Sequence, residues 1–199
     1  VMEENGMIET MGLWVLEQAM HACKKWMAVE PEFSVSVNVS ALQILKGDFQ
    51  EKVKQRMDAL AFPSKNLILE LTESNTVGNM QIIQDMFDDL RSQGVRLAMD
   101  DFGTGYSTLE NLKKGVSDVV KIDQAFVKDI QKSEFDVLFI QFIIAICHCV
   151  DIQVCLEGIE TVEELDFVSD LELDYYQGYL FGKPVNEEEI TKRLIEEKT

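Results

Sequence analysis

Positive charge is in short supply in this sequence. Eighteen Lys and Arg face 36 Asp and Glu, a formal net charge of −18 over 199 residues. That field repels nucleic-acid backbones and anionic membrane surfaces, which argues against polymeric nucleic acid as a partner. Long apolar runs are missing too. The longest, Val137–Val150, has 14 residues and is broken by Gln141 and His148. A spanning helix needs about 20, so this run predicts a buried helix or a subunit contact, with no membrane contact from this segment. No basic stretch precedes an apolar one at the start, so no signal peptide is expected. The four cysteines (Cys23, Cys147, Cys149, Cys155) lack C-x-x-C spacing. Zinc ligation and a disulfide framework are therefore weak readings, and buried free thiols in a reducing cytoplasm are expected. The two histidines, His21 and His148, fall on helical stretches among apolar residues and read as structural, which leaves no Ser-His-Asp or Cys-His constellation. The G-x-x-x-x-G-K-[ST] and G-x-G-x-x-G spacings of nucleotide-binding loops are absent. No linker, repeat or low-complexity segment divides the chain, so a single domain over 1–199 is expected.

What is present is an ordinary globular composition, 46% hydrophobic and 27% charged. Apolar residues at helical spacing predict a long helix over Met7–Ala28, and period-two alternation predicts a strand over Phe33–Val39. The same reasoning gives helices at Phe49–Leu60, Met80–Gln93, Leu109–Lys113, Ala125–Gln131, Phe135–Val150, Val162–Leu171 and Glu187–Glu196. Strands are expected at Leu67–Leu71, Val95–Met99, Val119–Ile122, Ile152–Leu156 and Tyr175–Tyr179. Strands alternating with helices indicate an α/β fold with a parallel sheet, either doubly wound or a (β/α)-barrel. Eight strands close such a barrel, so six strands and an abrupt start predict that about two are missing from the N-terminal side.

The chemistry collects where the predicted strands stop. In order these positions hold Asn38, Glu70, Asp100 with Asp101, Lys121 with Asp123, Glu157, and Gln177. The C-terminal strand edges of such folds share one face, so these groups should converge. Hard oxygen donors with one lysine suit Mg²⁺ or Mn²⁺. Adjacent Asp100 and Asp101 could bridge two ions about 4 Å apart, the arrangement used for in-line phosphoryl displacement. A lone Asp at a strand end is ordinarily a turn former or helix cap, and Asn38 could simply cap a helix at Ala41. Glu160 and Glu163 read as first-turn helix charges. The series argues otherwise, because capping does not place Glu, Lys and Gln at successive strand ends. Glu70, inside an apolar strand, would be buried unpaired without a cation. The glycines of Asp101–Gly105 beside two aspartates fit a mobile loop at a metal site.

Ser36-Val-Asn-Val-Ser40, Glu70-Leu-Thr-Glu-Ser74, Asp100-Asp-Phe-Gly-Thr-Gly-Tyr-Ser107, Lys121-Ile-Asp123, Glu157-Gly-Ile-Glu160 and Gln177-Gly-Tyr-Leu-Phe181 follow one another in a familiar order. Together, from about Glu4 to Val185, they resemble the EAL domain family of bacterial cyclic-di-GMP phosphodiesterases. The resemblance implies a modified TIM-like (β/α)8 barrel, here without its N-terminal strands, that opens one phosphodiester of cyclic-di-GMP to give linear pGpG. It implies a two-ion site for Mg²⁺ or Mn²⁺ held by Asn38, Glu70, Asp100, Asp101 and Glu157. Lys121 would hold the attacking water, and Glu157 would ligate metal or act as general base. Gln177 would complete the site, with Asp123 and Glu160 supporting the ions. Glu73 would brace the loop carrying Phe102, Gly103, Thr104 and Gly105. A homodimer and a fused sensor or GGDEF-type domain are the implied partners besides the nucleotide. The signature Glu-Ala-Leu is missing; Asp58-Ala-Leu60 sits in a helical pattern and does not replace it, so the chain is expected to begin after the signature. Leu156 stands where the family usually carries a small residue, and Gln124-Ala125 replaces a basic-plus-small pair. The reading from another class is an inactive EAL-type domain that binds cyclic-di-GMP or a protein partner as a receptor.

Overall fold

The computed structural model describes residues 7–72, 80–104, 112–113 and 117–196. Among the described residues, six strands follow chain order across the sheet, with α-helices before, between and after them. Two compact units are distinguished. One comprises 1–71, 78–97 and 184–199; the other comprises 72–77 and 98–183.

The first unit begins with helix α1 (Ile8–Met27), whose buried Leu13, Leu16, Met20 and Cys23 recur at helical spacing. Strand β1 (Val35–Asn38) pairs in parallel with β2 (Leu67–Thr72), placing Asn38 opposite Glu70. Between them lie α2 (Ala41–Ile44) and α3 (Phe49–Leu60). Ser40 caps α2 in a reciprocal capping box with Gln43, so Ser40, rather than Asn38, is the cap. Asp58 and Leu60 lie in the last turn of α3, as the rejection of Asp58-Ala-Leu60 requires. Helix α4 (Met80–Ser92) leads to the start of β3 (Arg96–Phe102). The closing helix α7 (Glu187–Glu196) is tied to α1 by the Trp26 Nε1–H, which donates to Thr191 Oγ1 at 2.9 Å.

The second unit takes up β3 at Ala98 and continues through β4 (Val119–Ile122), β5 (Gln153–Leu156) and β6 (Tyr175–Tyr176), all paired in parallel. Helix α5 (Glu134–His148) precedes β5, and α6 (Val162–Val168) precedes β6. Met99, Val120, Ile122, Val154 and Leu156 from the strands share one core with Ile140, Ile143, Ile144 and Cys147 from α5. Every residue of β4 is buried, the pattern of a central strand covered on both faces.

Several expectations needed correction. The helix expected over Ala125–Gln131 is two separate 3₁₀ turns, Gln124–Phe126 and Ile130–Lys132, because Asp129 between them adopts φ +60°. The last strand is only two residues long and α6 ends at Val168. Cys149 is exposed, while Cys23, Cys147 and Cys155 are buried free thiols. His21 is exposed on α1. The expected Leu109–Lys113 helix falls largely outside the described residues. Among the described residues, no helix is long and apolar enough to cross a membrane.

Candidate functional site: a carboxylate cluster around a buried lysine

Strand alternation would send adjacent side chains to opposite faces, so Asp100 and Asp101 should not meet at one site. A bulge resolves this. Met99 pairs with Val120 but Phe102 with Ile122, so β3 carries one extra residue at the two aspartates. Asp101 absorbs the irregularity at φ +56°, a left-handed conformation that aspartate tolerates better than most residues. As a result, carboxylate oxygens of Asp100, Asp101 and Glu157 all lie within 4.8 Å of one another.

Lys121 enters this group from β4. It is 6% exposed in a strand otherwise made of Val and Ile, and a buried ammonium needs counter-charges. Its Nζ lies 2.9 Å from Asp100 Oδ1 and 2.7 Å from Glu157 Oε1. One cation thus stands among three carboxylates, and the charge is not balanced. Asp101 registers the excess. Burial, then the negative charges of Asp100 and Asp123, push its carboxyl above the usual carboxylate range, against the pull of Lys121. The close approach of the Asp123 side chain adds to the rise. A hard divalent cation would relieve this repulsion, and the donor set, all carboxylate oxygen, is one that Mg²⁺ or Mn²⁺ accepts.

Around the cluster a cleft of about 400 Å³ is lined by Asp101, Asp123, Gln124, Glu157, Gly158, Glu160, Gln177, Gly178 and Tyr179. Its walls include the segment after β5 and the segment after β6. These two approach closely because residue 178 has no side chain: a Cβ there would sit 2.0 Å from the Ile159 carbonyl oxygen. The Ile159 N–H donates to the Gln177 carbonyl at 3.1 Å, and the Leu180 N–H donates to the Ile159 carbonyl at 3.0 Å. This clamp lies directly after β6, and Gln177 within it lines the cleft.

The second unit therefore brings together Asp100, Asp101, Lys121, Asp123, Glu157, Glu160 and Gln177. In the first unit Asn38 and Glu70 stand side by side at the C-terminal ends of their strands, where the Val39 N–H donates to the Glu70 carbonyl at 2.8 Å. Glu70 is buried, as expected, but the protein does not leave it unpartnered, so its burial alone does not demand a cation. Phe102 is 3% exposed within the core of the second unit rather than at the cleft. Gly103 adopts φ +98°, and a Cβ there would meet the Phe126 ring at 2.7 Å. Thr104 is exposed, and its hydroxyl donates to the Asp101 carbonyl at 2.9 Å, steadying the bulge. Glu73 and Gly105 lie outside the described residues. Glu163 is a first-turn charge of α6, as expected, whereas Glu160 precedes the cap and lines the cleft. Sequence reasoning passed over Tyr179 and Glu164, although Thr161-x-x-Glu164 is a legible capping-box pattern.

Comparison with known proteins points to one family. The cyclic di-GMP phosphodiesterase PdeR of Escherichia coli (strain K12) is 33% identical over 183 residues, 92% of this chain and 28% of PdeR. The chain spans only about a quarter of the length of the curated relatives it matches. A solved PaMucR phosphodiesterase in complex with c-di-GMP superposes with a TM-score of 0.88 at 30% identity, covering 95% of this chain and 83% of that one. A manganese/cy-diGMP complex of Klebsiella pneumoniae BlrP1 has a TM-score of 0.82 at 24% identity, covering 90% of this chain and 45% of that one, a likeness of fold alone. The EAL domain family matches residues 1–184. This chain, with its parallel α/β architecture and its acidic strand ends, belongs to the EAL domain family.

Proposed function

We propose that this domain hydrolyses cyclic-di-GMP to linear pGpG with the help of Mg²⁺ or Mn²⁺. The observation that carries the reading is the cluster of Asp100, Asp101 and Glu157 around Lys121, an anionic pocket that a dianionic substrate could enter only with a metal present. A cation held there by Asp100, Asp101 and Glu157 would supply positive charge to the phosphate oxygens as a Lewis acid. Family resemblance adds Asn38 and Glu70 to the ligands and a second ion. Lys121 Nζ, fixed by two carboxylates, orients the attacking water through a hydrogen bond, and Glu157 accepts a proton from it. In the balanced reaction one water is consumed: a P–O bond forms to its oxygen, the bond from phosphorus to one ribose 3′ oxygen breaks, and that oxygen takes up a proton. Asp123, Glu160 and Gln177, which line the cleft, shape its wall against the nucleotide, a role preferred for Asp123 and Glu160 over the ion support that the resemblance implies, and Glu73 braces the loop that follows Asp101.

The same reading places the domain in a reducing cytoplasm, supported by its four free thiols. Fusion to a sensor or GGDEF-type domain accords with the greater length of the relatives. A homodimer would use the outer face of α5, where Phe135, Leu138 and Phe142 are exposed.

Chromatography of cyclic-di-GMP incubated with the protein and Mn²⁺ tests the activity. The expected result is stoichiometric pGpG, abolished by chelation and reduced at least about a hundredfold in Asp100→Asn. Binding of the nucleotide without product would instead make the domain a receptor, and near-normal turnover in Asp100→Asn would remove the metal mechanism.

A further inference from the structure

The segment from Glu157 to Thr161 carries two of the cleft's carboxylates, and hydrogen bonds tie its backbone along its length. The Glu157 N–H donates to the Ile122 carbonyl at 3.0 Å, and Ile159 is clamped through its N–H and its carbonyl to Gln177 and Leu180. Those ties run from backbone to backbone. Two more come from a single side chain: Glu164 Oε2 accepts the N–H of Glu160 at 2.9 Å and of Thr161 at 3.0 Å. In return the Glu164 N–H donates to Thr161 Oγ1 at 3.2 Å. A usual capping box satisfies the N–H of the cap residue alone. This one reaches back a further residue, to Glu160, which is exposed and lines the cleft. Glu164 also borders an adjoining cleft of about 480 Å³ that shares Asp123, Gln124, Gly158 and Glu160 with the first.

We propose that Glu164 is a positioning residue, which fixes Glu160 at the rim of the cleft and so sets the affinity for the nucleotide while leaving the metal ligands untouched. The proposal rests on the reading of the domain as a cyclic-di-GMP phosphodiesterase. Asp100 and Asp101 hang from β3, and Glu157 is held by Ile122 and Lys121, none of which depends on Glu164. Without the Glu164 carboxylate, the Glu160 backbone has to be ordered when the nucleotide binds, and that ordering weakens affinity.

Glu164→Ala and Glu164→Gln both remove the charge, but glutamine keeps an acceptor oxygen and alanine does not. In Glu164→Ala the KM for cyclic-di-GMP should rise about fivefold with little change in kcat, and Mn²⁺ affinity measured by calorimetry should hold. Glu164→Gln should restore KM to within about twofold of wild type. Amide hydrogen exchange at Glu160 and Thr161 should be roughly tenfold faster in the alanine variant and near wild type in the glutamine variant. Unchanged exchange in Glu164→Ala, faster exchange with unchanged KM, or a glutamine variant as impaired as the alanine one would each overturn the proposal. Exchange is measured without substrate. A wild-type protein that fails to turn over cyclic-di-GMP would therefore refute the activity, while exchange still decides whether Glu164 holds the segment.

Discussion

Two aspartates of the second unit sit at opposite ends of its strands and are shifted in opposite directions. Asp174, just before β6, is partly buried, and that burial works to raise its pKa. The Val154 N–H at 2.7 Å and the His148 ring at 3.0 Å outweigh it and hold the carboxyl below the usual range. Asp101, at the other end, is pushed above that range by burial and by Asp100 and Asp123. The protein settles the charge of the first with its own donors and leaves that of the second in excess. Burial is common to both, so the difference lies in what each carboxylate faces. A carboxylate matched within the fold reads as structural, whereas one repelled by its neighbours marks a candidate functional site, here the proposed cation site.

The comparison can be broken most forcefully at Lys121. Lys121→Met would leave Asp100 and Glu157 without their cation, and a loss of about 3 kcal/mol in metal-free stability is expected, as for other broken buried pairs. Mn²⁺ should restore part of that stability; a variant as stable as wild type without metal would show that the lysine is not the internal counter-charge. Asp174→Asn comes next, with an expected loss of about 1–2 kcal/mol from the weakened Val154 and His148 interactions. Because the folded pKa of Asp174 is depressed, its contribution is full above the unfolded value of about 4 and fades as pH falls through the lower folded value. Thermal melts across that window should therefore converge for wild type and variant at the acid end, and parallel curves would remove Asp174 from the account. The smallest effect is expected at Asp101→Asn, with the opposite sign. Asparagine accepts the φ of +56° and removes a repelled charge, so the metal-free protein should gain about 0.5 kcal/mol. A clear loss of stability in that variant would mean that Asp101 is already satisfied without a cation.

Most of the strand–helix order was legible because the apolar periodicities are strong, and the strand ends pointed to the chemistry. Lys121 and Glu157 stood out as polar groups at the ends of apolar strands, and they do meet. The bulge at Asp100–Asp101 was not legible: two adjacent aspartates read as the end of a strand and the start of a loop, and no sequence pattern distinguishes them from an irregular strand that continues to Phe102. Gln177 follows the last strand, which ends at Tyr176 rather than at the expected Tyr179, and its placement depends on the approach of Gly178 to Ile159, a contact between segments far apart in sequence. Phe102, grouped with the site through its motif, packs into the core because the extra residue of the bulge restores inward alternation there.

The most direct test of a repelled carboxylate cluster built for a cation is calorimetric titration of Mn²⁺ into the wild-type domain and into Asp101→Asn. Saturable binding to wild type, weakened at least about tenfold in the variant, is the predicted result. No binding to either protein, or equal binding to both, would contradict it.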